Sequence, residues 1–218
     1  MHYILQPYNY DLSDPESIPN LFLKHLSLVG ITMLISLIIA IPLGLLVARY
    51  RKAYFPTITI SGLLYTIPSI AAFALLIPFT GISPATAIIP MVLYNQLVLI
   101  RNTAAAVNGI DPLLIEVGRA MGMTSRQILF RVTLPLALPV IVAGIRIATV
   151  TTVGIAALAA LVGQSNLGDL IFQNLASFDP DAIAAGAILT AAFAVAADLL
   201  LLALQVGLNR GRSATAVA

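Results

Sequence analysis

The sequence predicts an all-α membrane protein: a bundle of five spanning helices with one large polar loop on its cytoplasmic side. Three observations carry this. Of 218 residues, 60% are hydrophobic and 9% charged, where ordinary soluble domains carry about 25% charged residues. With a mean hydropathy of +1.00, a soluble core of this size cannot hide the apolar surface, so the solvent is lipid. Five stretches approach the roughly 20 apolar residues that cross a hydrocarbon core. Finally, all but two of the eleven Lys and Arg residues, Lys24 and Arg146, fall into three clusters separated by those stretches.

Taken in order, residues 1–25 read as an extracytoplasmic segment, with Asp11, Asp14, Glu16 and three prolines but no basic stretch ahead of an apolar one, so it does not read as a cleaved signal peptide. Residues 26–208 form the spanning domain. Span one covers Leu26 to Ala48, span two Ile58 to Phe79 and span three, the shortest, Ala85 to Ile100. Span four covers Pro139 to Val162 and span five Ala182 to Leu208. Residues 209–218 form the C-terminal tail. Pro42, Pro68, Pro78 and Pro90 punctuate the spans, and such breaks are tolerated where neighbouring helices satisfy the freed carbonyls. Alanines crowd spans four and five, favouring close helix contact.

Positive charge in short loops marks the cytoplasm. Arg49, Arg51 and Lys52 follow span one; Arg101, Arg119, Arg126 and Arg131 follow span three; Arg210 and Arg212 follow span five. The connections after spans two and four have no Lys or Arg, and the latter carries Asp169, Asp179 and Asp181. The expected topology is N-terminus outside and C-terminus in the cytoplasm. Lys24 snorkels from the start of span one.

The loop 102–135 carries helix signals. Asp111 caps a helix that Pro112 opens. Leu113, Val117, Ala120 and Met121 share a face that is expected to hold the helix to the bundle, with Glu116 and Arg119 turned toward a soluble partner. Gly122 ends the helix in a left-handed turn. Thr124 and Gln127 form a capping box for a second helix, which Pro135 and Pro139 are expected to stop before span four. On periodicity alone this hairpin is equally a cap on the bundle or a docking element.

The run Glu116-Val117-Gly118-Arg119-Ala120-Met121-Gly122, nine residues, then Val132-Thr133-Leu134-Pro135 resembles the cytoplasmic signature loop of ABC importer permeases. That pattern is Glu-Ala-Ala, three residues, Gly, nine residues, Ile, one residue, Leu-Pro. Glu116, Gly122, Leu134 and Pro135 match it, whereas Val117, Gly118 and Val132 depart by size. Thr66-Ile67-Pro68-Ser69, Ile100 to Thr103, Leu136 to Pro139, Gly144-Ile145-Arg146 and Ala157 to Gly168 are similar to the osmoprotectant branch, carriers of glycine betaine, choline and carnitine. That branch shares its five-helix core with the methionine-type permeases, and a methionine or other small-solute importer stays open as the alternative. The resemblance implies that the loop docks on an ABC ATPase subunit through Glu116, Gly118, Ala120, Gly122, Leu134 and Pro135, bordered by Arg119 and Arg126. It also implies a second permease chain, the same or homologous, an external substrate-binding protein, and a prokaryotic inner membrane as the location. ATP and Mg belong to the ATPase, and this chain binds no cofactor.

Other positions are read from the residues. Arg146 and Asp198 lie at similar depths in spans four and five, and intramembrane charges usually pair. Tyr65, Thr66, Ser69, Tyr94, Asn95, Gln96, Thr149, Thr151 and Thr152 are candidates to line a path. Tyr65, Phe73 and Tyr94 are candidates to meet a quaternary ammonium by cation–π attraction. Gly163 to Gly168 reads as an exterior turn followed by a short helix, Asp169 to Ser177, which suits a seat for a binding protein and a plain connector about equally. There is no cysteine, hence no disulfide or thiolate chemistry. His2 and His25 have no partners at metal-ligand spacing. The positive residues belong to loops, so nucleic acid is not a partner. No Gly-x4-Gly-Lys-Ser/Thr is present, so the chain is not expected to hydrolyse ATP itself; the resemblance then implies a transport subunit and not an enzyme, with its energy coming from another polypeptide.

Overall fold

Proline at or just after a capping position opens helices along the whole chain, because the first turn has no use for the missing N–H. Ser17 precedes α1, Ile18–Arg49, with Pro19 in its first turn. Ser83 precedes α4, Pro84–Asn108, and Asp111 precedes α5, Pro112–Ala120. At α9, Pro180–Thr215, the Asp179 carboxylate accepts from the N–H groups of Asp181 and Ala182 at 3.0 and 3.2 Å. The computed structural model describes residues 3–175 and 177–215, from 209 onward as backbone alone. His2 therefore lies outside the described residues, as does Ala176 within the expected exterior helix.

The remaining helices are α2, Arg51–Tyr65; α3, Ser69–Thr80; α6, Ser125–Ile128; α7, Leu134–Leu158; and α8, Asp169–Leu175. No strand occurs among the described residues. The bundle is a row in which α1 packs on α4, α4 on α7 and α7 on α9, with α1 also reaching α7. Close approach comes from small side chains: Ala40, Ala87, Ala104, Ala148 and Ala156 are fully or almost fully buried, and a Cβ on Gly44 would lie 2.5 Å from Thr103. Around them pack Phe73, Met91, Leu99, Ile100 and Val153. The outer faces stay apolar and bare, with Ile38, Leu46, Val195, Leu199 and Leu200 exposed, as a helix meeting lipid requires.

Three expectations need correction. Span two is not one continuous helix: α2 and α3 meet at 89°. Pro68 disfavours helical geometry at Ile67, so α2 winds down through Thr66 N–H to the Gly62 and Leu63 carbonyls and Ile67 N–H to Leu64. Pro135 and Pro139 also fail to stop the second loop helix. Ser125 to Val162 forms one continuous apolar helical run, because Leu129–Thr133 widens into a π-helical turn in which Leu134 N–H reaches the Leu129 carbonyl. The wider turn accommodates the ring of Pro135, which a regular turn would drive into the carbonyl four residues back. Span three is longer than expected, since α4 runs from Pro84 to Asn108. Asp11, Asp14 and Glu16 ahead of α1 and Asp179 and Asp181 at the start of α9 lie toward one end of the bundle. Arg49, Arg51, Lys52, Arg119, Arg126 and Arg131 lie at the other.

Candidate functional site

The hairpin α5–α6 at the basic end is built by its caps. The Asp111 carboxylate accepts from Leu113 N–H at 2.9 Å. At the other end of α5, Gly122 takes φ +78°, and two bonds close the turn: Met123 N–H to the Gly118 carbonyl at 3.0 Å and Gly122 N–H to the Arg119 carbonyl at 2.9 Å. This is a Schellman motif, which needs a left-handed residue where Gly122 stands. The capping box follows: Gln127 N–H donates to the Thr124 hydroxyl at 3.3 Å, and Thr124 N–H donates to the Gln127 amide oxygen at 2.7 Å.

The hairpin turns a different face to the bundle from the one periodicity suggests. Gly118 is buried, with Met123 and Ile128 close enough that an added Cβ would be 3.5 and 3.4 Å from them. Ile128 is buried too, and α5 makes its main contacts with α6 and the π-helical turn. The stripe expected to hold α5 down is bare: Leu113 is 59% exposed, Val117 48% and Met121 76%. Ala120, Glu116, Arg119, Gly122 and Arg126 are exposed as well. Leu134 and Pro135 start α7 at the root of the hairpin. An apolar stripe flanked by a carboxylate and guanidinium groups, on a helix fixed at both ends, has the character of a docking surface.

Within the bundle, the expected path residues divide. At the α2–α3 bend Tyr65 and Thr66 are exposed and Ser69 is half-buried. The Tyr94 hydroxyl donates to the Ile67 carbonyl at 2.8 Å, and its ring meets Tyr65 edge-on at 5.8 Å. Tyr94 is thus a brace for the bend, its ring buried. Asn95 and Thr152 are buried in an inter-helix network: the Asn95 amide donates to the Ser36 hydroxyl at 3.1 Å, and Thr152 donates to the Asn95 oxygen at 3.1 Å. Thr152 also bonds the Ala148 carbonyl, and Gln96 and Thr149 bond carbonyls of their own helices. Thr151, by contrast, is half-buried, and Phe73 is fully buried. Ser36, Asn95 and Thr152 thus join α1, α4 and α7.

Arg146 and Asp198 meet across α7 and α9. Arg146 Nε and one Nη donate to the two carboxylate oxygens, each at 2.9 Å, a planar fork that suits a carboxylate. The other Nη donates to the Gln205 amide oxygen at 2.9 Å. The pair is not sealed: its side chains are 22% and 32% exposed. Sequence reasoning missed Gln205, although its spacing of seven from Asp198 puts both on one helical face. It also missed His25, fully buried, whose Nε2 lies 3.1 Å from the Val153 carbonyl and whose ring meets Phe193 edge-on at 5.5 Å. At the acidic end Gly163 takes φ +78°, Asn166 accepts from Gly168 N–H at 2.7 Å, and Asp169 is buried at the start of α8. Burial raises the Asp169 carboxyl above its ordinary pKa, against opposing hydrogen bonds from Ser165 and Asn166. No cluster of three metal-ligating side chains occurs among the described residues.

Residues 40–213 match the family model described as "Binding-protein-dependent transport system inner membrane component". The chain is 38% identical over 206 residues to the osmoprotectant import permease protein OsmW of Salmonella typhimurium, covering 92% of this chain and 96% of that protein. It is 41% identical over 181 residues to the glycine betaine/carnitine/choline transport system permease protein OpuCD of Bacillus subtilis, covering 83% and 79%. Among solved structures it is similar to a chain of the MetNI methionine ABC transporter in an inward-facing conformation. There the TM-score is 0.78 and the identity 25%, covering 88% of this chain and 95% of that one.

Proposed function

The chain belongs to the family of binding-protein-dependent transport system inner membrane components, and from that premise we propose that it is the membrane-spanning subunit through which an ABC importer carries quaternary-amine osmoprotectants. It is a permease and not an enzyme; ATP hydrolysis belongs to a separate ATPase subunit. The cargo reading draws on relatives named for osmoprotectant, carnitine, choline and glycine betaine transport. The observation that carries the coupling role is the bare stripe Leu113, Val117 and Met121 beside Glu116. A helix that leaves its apolar face exposed at the end of a membrane bundle gains stability by burying that face on a partner, at roughly 25 cal/mol per Å².

In this reading an ATPase subunit receives α5 in a cleft. Glu116 and the apolar stripe make the contact, Gly118, Ala120 and Gly122 shape it, and Arg119 and Arg126 border it. Leu134 and Pro135 pass the motion into α7. Two permease chains enclose the path, and the Tyr65–Thr66–Ser69 bend faces it. ATP and Mg on the ATPase close the two hairpins toward each other, and an external binding protein delivers the solute at the acidic end.

The test is reconstitution of the chain with its ATPase and binding protein in vesicles. ATP-driven uptake of glycine betaine, choline or carnitine is expected, and methionine should not accumulate. Glu116→Lys should abolish both uptake and capture of the ATPase, with the permease still folded. Methionine uptake at an equal rate overturns the cargo. Full ATPase capture by Glu116→Lys overturns the docking role.

A further inference from the structure

A cleft of about 840 Å³ opens where the basic end of α1, the foot of α4 and the hairpin come together. Its walls are of two kinds. Pro42, Leu45 and Leu46 of α1 form an apolar wall, Ile115, Ile128 and Leu129 add apolar surface from the hairpin side, and Arg49, Arg119 and Arg126 are the three charged residues that line the cleft. No Asp or Glu lines it. Among the described residues the one ion pair is Arg146–Asp198, so none of the three arginines has a carboxylate partner there; Arg49 lies over the Tyr50 ring at 5.8 Å. Along α1, the seven residues from Pro42 to Arg49 rise about 10 Å. The apolar wall therefore stands about 5–10 Å toward the hydrocarbon from Arg49, Leu46 nearest and Pro42 farthest, and it is continuous with the exposed apolar face of Ile38, Leu43 and Leu46.

We propose that this cleft binds one anionic phospholipid, its phosphate held by Arg49, Arg119 and Arg126 and the upper part of its acyl chains lying on Pro42, Leu45 and Leu46. Charge complementarity and the order of the walls select this occupant. A free anion leaves the apolar wall unfilled, and a soluble protein has no flexible apolar chain to lay into the hydrocarbon. A zwitterionic lipid brings no net charge to three unpaired cations. Basic pockets beside spanning helices suit anionic headgroups for these reasons. The three arginines come from α1, α5 and α6, so a bound headgroup ties the hairpin to the first span and fixes its stance. Neither the cargo nor ATPase capture enters this inference.

The experiment is native mass spectrometry of the full-length permease, alone and in its complete complex, after delipidation and addition of phosphatidylglycerol or phosphatidylcholine. Phosphatidylglycerol should be retained at one molecule per permease, and phosphatidylcholine should not. Arg49→Gln should weaken phosphatidylglycerol retention about fivefold, from about 1 kcal/mol per basic residue near an anionic headgroup. Leu46→Glu, which blocks the apolar wall, should abolish retention, and Lys52→Gln, outside the cleft, should leave it unchanged. Equal retention of the two lipids overturns the proposal, as does an unchanged Arg49→Gln. Loss of phosphatidylglycerol when the ATPase subunits bind overturns it too, because the cleft then belongs to the ATPase seat. ATPase capture and uptake read the coupling role separately, so either can fail without the other.

Discussion

Arg146 and Asp198 meet where α7 packs on α9, and Gln205 completes their polar set. Each charge alone would be expensive at that depth, because the environment offers few other partners. Asp198→Leu or Arg146→Met alone should therefore lower the yield of folded protein in membranes. The double change Arg146→Met/Asp198→Leu should recover part of that loss, since removing both charges leaves no orphan. A double variant no better than the worse single one, by size-exclusion recovery, would argue against a shared partnership. Asp169 presents the opposite case, outside the spans. Burial raises its pKa above the ordinary carboxylate value of about 3.9, so the folded state holds the proton more tightly than the unfolded one. Its ionised form therefore costs stability above the folded pKa. That cost fades as pH falls through the folded value and is gone below the unfolded value. Asp169→Asn should melt at or above the wild-type temperature at neutral pH, and the wild type should gain on the variant as pH falls into the carboxylate range. A variant that melts lower at neutral pH would show that the Ser165 and Asn166 bonds outweigh burial.

At the scale of elements, the hairpin depends on its turn. Gly122 holds φ +78°, and a Cβ added there would meet nothing within 4 Å, so a substitution is felt through backbone strain and not through crowding. A left-handed residue with a side chain costs about 1–2 kcal/mol, and β-branching adds to it. Gly122→Val should loosen the Schellman turn, speed proteolysis within residues 112–128 and cut uptake severalfold while the bundle stays folded. Wild-type proteolysis rates and uptake would refute this. Gly118 is different: at 3.4 and 3.5 Å from Ile128 and Met123 a methyl fits as an ordinary contact, so Gly118→Ala should be tolerated. The hairpin was legible in the sequence because caps are local: Asp111-Pro112, Gly122 and Thr124-Gln127 each act within a few residues. The face it buries was not, because Leu113, Val117 and Met121 satisfy the same period whether they meet the bundle or a partner. The 89° bend was signalled by Pro68, but a hydropathy reading joins the two apolar halves into one span. Asn95 and Thr152 illustrate the remaining limit. The sequence marks them as polar positions in spans, and only packing reveals that Thr152 donates to Asn95 and Asn95 to Ser36, a chain across three helices.

On the scale of the whole molecule, the separation of charge is the feature that sets its stance in the bilayer. Asp11, Asp14, Glu16, Asp179 and Asp181 belong to segments at one end, and Arg49, Arg51, Lys52, Arg119, Arg126 and Arg131 to the other. Anionic headgroups on the cytoplasmic leaflet and the bias against moving Lys and Arg across the membrane both favour the basic end inside. With the basic end inside, as proposed, the hairpin would be within reach of a cytoplasmic ATPase and Asp179 would lie toward an external binding protein. Because the chain has no cysteine, single cysteines report on this without background. In intact cells a membrane-impermeant maleimide should label Ser13→Cys and Asp181→Cys, which stand on exposed positions at the acidic end. It should leave Thr124→Cys and Gln127→Cys unlabelled until the membrane is opened. Labelling of Thr124→Cys from outside would invert the molecule, remove the hairpin from any ATP-hydrolysing partner and leave the bare stripe of α5 without the occupant proposed for it.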